Sequence, residues 1–168
     1  NSFRVYLKFM TVQINYKNSG SKKTPSNLIL FVDENFNISG LKKYISNKEF
    51  VYISDLLKNS DLKKELLFFE INSKKTVFLV SIKKNIKISD IENLGAKFYD
   101  HINHDKKKEY FIDADSVNNK IKNFIGYFLH GLKLKSYEFN IYKSKKNEKT
   151  ISINVIEKKD KISTQDKL

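Results

Sequence analysis

The hydrophobic pattern of residues 117–142 predicts a helix that leads directly into a strand. Apolar side chains first recur at spacings of three and four, as they do on one face of a helix: Val117, Ile121, Phe124, Ile125, Phe128 and Leu132. Tyr137, Phe139 and Ile141 then alternate with other residues, which is the period of a half-buried strand. We therefore expect a buried helix over residues 117–134, followed by an edge strand over residues 137–142.

The rest of the chain alternates between strand and helix patterns. Six further segments have the composition and alternation of strands: residues 12–16, 28–32, 66–71, 76–82, 110–112 and 151–155. Residues 28–32 are apolar throughout, as in a central strand that is covered on both faces. Residues 66–71 and 76–82 flank a short polar segment, which predicts an antiparallel hairpin. Residues 38–45 and 53–57 predict short helices or turns.

Residues 89–102 have the clearest helix pattern. Ser89 and Glu92 have the spacing of a capping box, and Asp90 places a negative charge in the first turn. Gly95 lies beside the apolar stripe of this helix, where it would let a neighbouring element approach closely. Helices that alternate with strands, together with a hairpin, predict an α/β fold with a mixed β-sheet and helices on both faces.

Composition limits the domain organisation. The 168 residues are 40% hydrophobic, which is enough for one sizeable core, and one proline and five glycines leave no flexible linker. We expect a single α/β domain over residues 10–156, a disordered or upstream segment over residues 1–9, and the start of a connector over residues 157–168. Without cysteine, disulfides and thiolate metal sites are excluded.

The net charge of +13 suggests an anionic partner. Arg4 is the only arginine, however, whereas recognition of bases and phosphates favours the guanidinium fork. Since the lysines are spread along the whole chain, we expect only weak, non-specific nucleic-acid binding. The sequence has neither a signal-peptide pattern nor an apolar run of membrane-spanning length, which predicts a soluble protein without membrane contact.

Two pairs of side chains are candidates for chemistry. His101 and His104 are three residues apart and could share a zinc site, but the end of a helix also suits a solvated imidazole. Asp113 and Asp115 follow a strand and precede a helix, where α/β proteins place catalytic carboxylates. The same segment suits a helix cap at Asp115 or Ser116. We favour the structural role for both pairs.

The glycines and the remaining histidine suggest packing rather than binding. Gly20, Gly40, Gly126 and Gly131 form neither a GxGxxG motif nor a phosphate loop, and the last two suit helix packing. His130 is expected on a polar helix face, solvated or hydrogen-bonded. No serine or threonine lies in a nucleophile elbow. The sequence therefore predicts no catalytic, cofactor-binding or metal-binding residue in this chain.

Two segments resemble the amino-terminal domain of leucyl (cytosol) aminopeptidases. One is Gly131 and Leu132 followed by the pattern Ser-Tyr-x-Phe-x-x-Tyr-Lys-x-Lys-Lys over residues 136–146. The other covers residues 91–99, with the pattern Leu-Gly-x-x-x-Tyr. The order of elements over residues 10–156 also matches that domain. The resemblance implies an α/β fold similar to macro domains.

The resemblance also implies a function for a longer parent protein. Members of the family are cytoplasmic, hexameric metalloexopeptidases that release amino-terminal residues from peptides. Two zinc or manganese ions lie in their carboxy-terminal domain, whose segment Asn-Thr-Asp-Ala-Glu-Gly-Arg-Leu is absent here. We therefore expect a non-catalytic domain that aids assembly and substrate access. The alternative is a free-standing macro-like module for a nucleotide or nucleic acid, which would need a glycine-rich phosphate loop.

Overall fold

The computed structural model describes residues 12–18, 26–105, 109–141 and 150–157. Within these ranges the chain forms six strands and three α-helices, in this order: β1 (Val12–Asn18), β2 (Asn27–Asp33), α1 (Asn47–Leu57), β3 (Leu66–Asn72), β4 (Lys75–Ile82), α2 (Ile88–Ile102), β5 (Glu109–Asp113), α3 (Phe124–Ile141) and β6 (Ile151–Glu157). Two 3-10 turns, Ser39–Lys43 and Ala114–Ser116, follow β2 and β5. No helix within these ranges is long and apolar enough to cross a membrane.

The strands form one mixed sheet in the order β1-β6-β5-β2-β4-β3. All neighbours are parallel except β3 and β4, which form the antiparallel hairpin that the sequence predicts. The helices α2 and α3 are the connections from β4 to β5 and from β5 to β6. Crossover helices of this kind allow parallel neighbours, so the parallel pairing is consistent with the alternation of elements along the chain.

Two apolar cores cover the two faces of the sheet. The first core lies beneath α2 and α3, and the second lies beneath α1 and the turn Ser39–Lys43. Every residue from Asn27 to Val32 in β2 is buried, as expected for a central strand with helices on both sides. The predicted fold class, a mixed sheet with helices on both faces, is therefore confirmed.

A close contact in the first core joins the backbones of α2 and α3 through two glycines. A Cβ atom on Gly95 would overlap the carbonyl oxygen of Phe128, and one on Gly131 would overlap the carbonyl oxygen of Glu92. Each glycine thus admits the backbone of the opposite helix. Phe98 and Phe128 pack beside this contact with ring centroids 5.8 Å apart. The close approach predicted at Gly95 is confirmed.

The predicted edge strand over residues 137–142 is wrong. Residues up to Ile141 continue α3, and residue 142 lies outside the described residues. The buried face of the helix continues beyond Leu132, because Ser136, four residues later, is also buried. The ring of Phe139 lies 6.2 Å from the ring of Tyr99 in α2. Packing against α2 therefore outweighs the local alternation of these residues.

The predicted helix starts also need correction. The long helix begins at Phe124 and not at residue 117, because Asn123 adopts a left-handed φ of 60° just before it. In α2, the N–H of Lys87 donates to the carboxylate of Asp90 over 3.0 Å, so the capping contact does not involve Ser89 and Glu92. Such shifts of a few residues are common at helix ends.

A buried ion pair joins α1 to the sheet in the second core. Lys75 Nζ lies 2.8 Å from Glu49 Oε2, and both side chains are almost fully buried. Glu49 also completes a capping box with Ser46. Burial by itself would raise the pKa of Glu49, but hydrogen bonds from Lys75 and Ser46 and the charge of Lys75 lower it overall. This pair fixes the first turn of α1 against β4.

We expect the substitution Gly95→Ala to destabilise the fold by about 3 kcal/mol, because the new methyl group must push the α3 backbone away. Gly40→Ala is the matched control, since a Cβ there meets nothing within 4 Å. Urea unfolding of both variants measures the difference. Equal stabilities for the two variants would contradict the close contact of α2 and α3.

Candidate functional site

A cleft of about 1010 Å³ lies at the carboxyl ends of β2, β4 and β5. The strand β2 lies between β4 and β5 in the sheet. The turn Ser39–Lys43 and α1, which follow β2, cover one face of the sheet, whereas α2, which follows β4, covers the other face. Ligands in open α/β sheets bind where the connections diverge in this way. The cleft is therefore the first place to look for a binding site, and three loops form its walls: residues 33–44, 82–86 and 115–121.

The lining of the cleft is polar and carries both signs of charge. Four lysines and three carboxylates line it together with several asparagines: Lys43, Lys83, Lys84 and Lys120, and Asp33, Glu34 and Asp115. Gly40 is the only glycine among the described lining residues, which also include no histidine. The walls thus lack both a glycine-rich phosphate loop and an imidazole base.

The loop after β2 satisfies several of its own backbone donors. Asp33 Oδ1 accepts the N–H groups of Asn35 and Asn37, both over 3.0 Å. Asn37 Oδ1 in turn accepts the N–H of Ser39 over 3.0 Å. In phosphate-binding loops such N–H groups point at the anion instead. Here the carboxylate of Asp33 accepts two of these N–H groups, as a bound anion would.

The loop after β5 shows the same arrangement. Asp113 Oδ1 accepts the N–H of Asp115 over 3.1 Å, and Asn119 Oδ1 accepts the N–H of Ile121 over 2.9 Å. Ser116 Oγ accepts the N–H of Phe31 over 3.0 Å, which joins this loop to the end of β2. Two of the three loops around the cleft are therefore held by side-chain oxygens of the chain itself.

Asp113, Asp115 and Tyr44 interact electrostatically at the end of β5. Burial raises the pKa of Asp113 to about 6; the hydrogen bond from Asp115 opposes this rise, and the charge of Asp115 adds to it. Burial, followed by the charges of Asp113 and Asp115, raises the pKa of Tyr44. The sequence placed the two aspartates correctly at a strand end but missed Tyr44, which is distant along the chain. Because α3 begins at Phe124, neither Asp115 nor Ser116 caps it.

Two loops beside the cleft contain left-handed residues other than glycine. Phe36 after β2 has a φ of 54° and Asn85 after β4 has a φ of 61°. Asparagine tolerates this conformation, whereas a bulky aromatic residue adopts it only when tertiary packing demands it. Phe36 is buried in the second core, which explains how its backbone is held. The loop after β2 is thus fixed by packing as well as by Asp33.

The two candidate histidines have different surroundings. The ring of His101 lies 4.4 Å from the ring of Phe68 in β3, whereas the ring of His104 lies 6.4 Å from the ring of Phe139 in α3. The pKa of His101 lies below its usual value, mainly because the ring is partly buried. The charge of Asp105 opposes this effect, and the charge of His104 adds to it. Across the described ranges, no group of three or more histidine, aspartate or glutamate residues could hold a metal ion.

The remaining sequence candidates belong to the helices or lie outside the described residues. His130 Nδ1 is 2.7 Å from Glu92 Oε2, so it is hydrogen-bonded between α3 and α2. Gly131 takes part in helix packing, as predicted, but a Cβ atom on Gly126 would meet the side chain of Asn123 in the same chain segment. Gly20 and Arg4 lie outside the described residues.

The positive charge is concentrated outside the described fold. The described ranges contain 17 lysines and 16 aspartates and glutamates, so they account for about +1 of the net charge of +13. The cleft and the sheet are thus part of a nearly neutral body. The overall charge gives no reason to place a nucleic-acid site on the described surface.

The order of strands and the two helical layers define a macro-like α/β fold, and solved structures agree with this class. The chain is similar to a mutant leucine aminopeptidase from tomato, with a TM-score of 0.65 and 14% identity over 87% of this chain and 32% of that chain. The chain thus spans about a third of that enzyme. No family model and no curated protein matches the sequence.

Two macrodomains of DarG have the same fold. The one from Thermus aquaticus has a TM-score of 0.54 and 7% identity, over 87% of this chain and 99% of that chain. The one from Mycobacterium tuberculosis has a TM-score of 0.56 and 11% identity, over 85% of this chain and 97% of that chain. At such low identities the similarities establish the fold and not the activity.

We expect Asp113→Asn to stabilise the protein by about 1 to 2 kcal/mol above pH 7, since solvent screens this partly exposed carboxylate, and to have little effect near pH 4. The folded pKa of Asp113 lies above its ordinary value near 3.8, so its stabilising contribution is present at low pH and lost as the pH rises through about 6. Denaturant unfolding at both pH values measures this, with Asp55→Asn on α1 as the exposed control. A destabilised Asp113→Asn protein above pH 7 would contradict the burial of a charged group.

Proposed function

We propose that this chain is the non-catalytic amino-terminal domain of a leucyl aminopeptidase. In this proposal the domain aids assembly and substrate access, and the peptide bond is cleaved in a carboxy-terminal domain of the parent enzyme. The parent would be a cytoplasmic hexamer that releases amino-terminal residues from peptides. Its two zinc or manganese ions would be held by residues outside this chain.

The observation that carries the proposal is the way the cleft loops use their own donors. The side-chain oxygens of Asp33, Asn37, Asp113 and Asn119 accept five loop N–H groups between them. A loop that binds a phosphate must leave such groups available. A cleft in which five loop donors are already occupied suits a domain that contributes shape and contacts rather than ligand binding.

The residues behind the family resemblance support the same proposal. Gly95 in α2 and Gly131 and Leu132 in α3 lie at the contact between these two helices, and Leu94 is buried in the same core. Their pattern therefore has a physical reason, because only glycine allows this contact. The similarity to about a third of the tomato enzyme is what a single domain of a larger enzyme would give.

The direct test is to read the coding sequence beyond Leu168 and to assay the 168-residue chain. We expect an in-frame catalytic domain with the segment Asn-Thr-Asp-Ala-Glu-Gly-Arg-Leu, and no hydrolysis of leucine p-nitroanilide by this chain with added manganese or zinc. An unrelated domain in that frame would contradict the family assignment. Turnover that a chelator abolishes would contradict the non-catalytic role.

A second candidate is a free-standing macro-like module that binds a nucleotide in the cleft. The position and volume of the cleft and its four lysines favour it, as does the similarity to nearly the whole length of two macrodomains. Its weakness is that side-chain oxygens of the chain already accept five of the loop N–H groups.

Calorimetric titration with ADP separates the two candidates. The accessory domain should give no saturable heat, whereas a nucleotide module should bind and lose affinity by about tenfold in the double variant Lys83→Ala and Lys84→Ala. Lys48→Ala is the control, because Lys48 lies on α1 away from the cleft. Saturable binding that only the cleft variant weakens would establish the second candidate and exclude the first.

A further inference from the structure

The strand β3 forms one edge of the sheet and its outer side is open in the described structure. Its inner side pairs with β4 from Leu66 to Asn72, with a bulge near its end. In the sheet order no other strand lies beyond it. Residues 66–69 are Leu-Leu-Phe-Phe, so the edge is uncharged over this stretch. Proteins usually protect an apolar edge of this kind, because it is a template for pairing with another strand.

The hydrogen-bond register shows which backbone groups face outward. The N–H of Ser81 donates to the carbonyl oxygen of Glu65 over 2.8 Å, so Glu65 points toward β4. Backbone groups alternate in direction along an antiparallel strand. The N–H and C=O groups of Leu66, Phe68 and Glu70 therefore point away from the sheet. No described group forms a hydrogen bond with them.

The side chain of Phe68 adds an exposed apolar surface at the same edge. It is 47% exposed, although it lies at the middle of the strand. Its ring is held by His101 at 4.4 Å and by Phe78 at 6.2 Å. By contrast, the other edge strand, β1, carries Gln13, Asn15 and Lys17. Of the two edge strands, β3 is therefore the one that combines an exposed aromatic ring with outward-facing backbone groups.

We propose that β3 pairs with β3 of a second copy of this chain, antiparallel and across a two-fold axis at Leu67. The sheets of the two copies then become one continuous sheet. In this register the outward-facing Leu66 of one copy lies opposite Phe68 of the other, and the relation holds twice because the interface is symmetric. The exposed phenyl ring is thereby covered by an apolar side chain at each end of the pair.

The charges that flank the strand select both the partner and the register. Lys64 lies in the turn just before β3, where its N–H donates to the carbonyl oxygen of Asp61. With the axis at Leu67, this turn in each copy comes next to Glu70 of the other copy, so that the lysine side chain can reach an opposite charge at each end of the pair. With the axis one residue later, at Phe68, Lys64 would lie opposite Asn72 and Glu70 opposite Leu66. The strand is thus complementary to itself in one register, which an unrelated strand would have no reason to match.

Lys64 and Glu70 have no other described role. Both are exposed, and neither takes part in an ion pair within the described ranges. Lys64 lies in the turn before β3 and Glu70 lies beyond the apolar stretch of residues 66–69, so the two do not pair within one copy. Any coupling between substitutions at these two positions must therefore act between copies.

Charge reversal tests the proposal on the 168-residue chain by sedimentation equilibrium. We expect the unmodified chain to dimerise, and Lys64→Glu or Glu70→Lys alone to weaken the dimer by about tenfold, because like charges then face each other twice. The double variant restores opposite charges and should return to within about threefold of the original affinity. Lys48→Glu on α1 is the control for net charge and should leave the dimer unchanged.

Phe68→Lys should also abolish dimerisation, and circular dichroism checks that each variant is folded. A chain that stays monomeric up to its solubility limit would overturn the proposal. So would a dimer that tolerates Phe68→Lys, or a double variant weaker than either single variant. If Lys64→Glu and Glu70→Lys are each folded and dimerise as well as the original chain, this register is excluded.

Discussion

The backbone contact between α2 and α3 is the constraint on which the rest of the fold depends. Gly95 and Gly131 each admit the carbonyl group of the opposite helix, so the two connections lie side by side over one face of the sheet. The connections lead from β4 to β5 and from β5 to β6, which places β5 beside β2 and β6 beyond it. The carboxyl ends of β2, β4 and β5 then meet around one cleft.

That cleft has the location of a ligand site without the usual chemistry of one. Its loops are held by Asp33, Asn37, Asp113 and Asn119, each of which accepts backbone N–H groups that an anion would otherwise need. The charge is mixed, and the described body is almost neutral. A macro-like fold is therefore compatible here with a role as a structural domain, and function must be argued from the loops and not from the fold.

Sequence patterns were reliable where one local rule decided the structure. The unbroken apolar run around Leu30 predicted a central strand, and Gly95 beside an apolar stripe predicted a close approach. The strand predicted around Phe139 was wrong because its alternation also fits a helix, and the contact with α2 decides between the two. The electrostatic interaction of Tyr44 with Asp113 and Asp115, and the ion pair of Glu49 with Lys75, join residues far apart in the chain. No local pattern could have indicated them.

The most direct test of this account is a nuclear Overhauser measurement across the contact of α2 and α3 in the labelled protein. The account predicts strong cross-peaks between the α protons of Gly131 and Glu92, and between those of Gly95 and the amide proton of Leu132, because only backbone contact brings these atoms together. Cross-peaks between side chains of the two helices, without these backbone cross-peaks, would mean that the helices are held apart and would contradict the account.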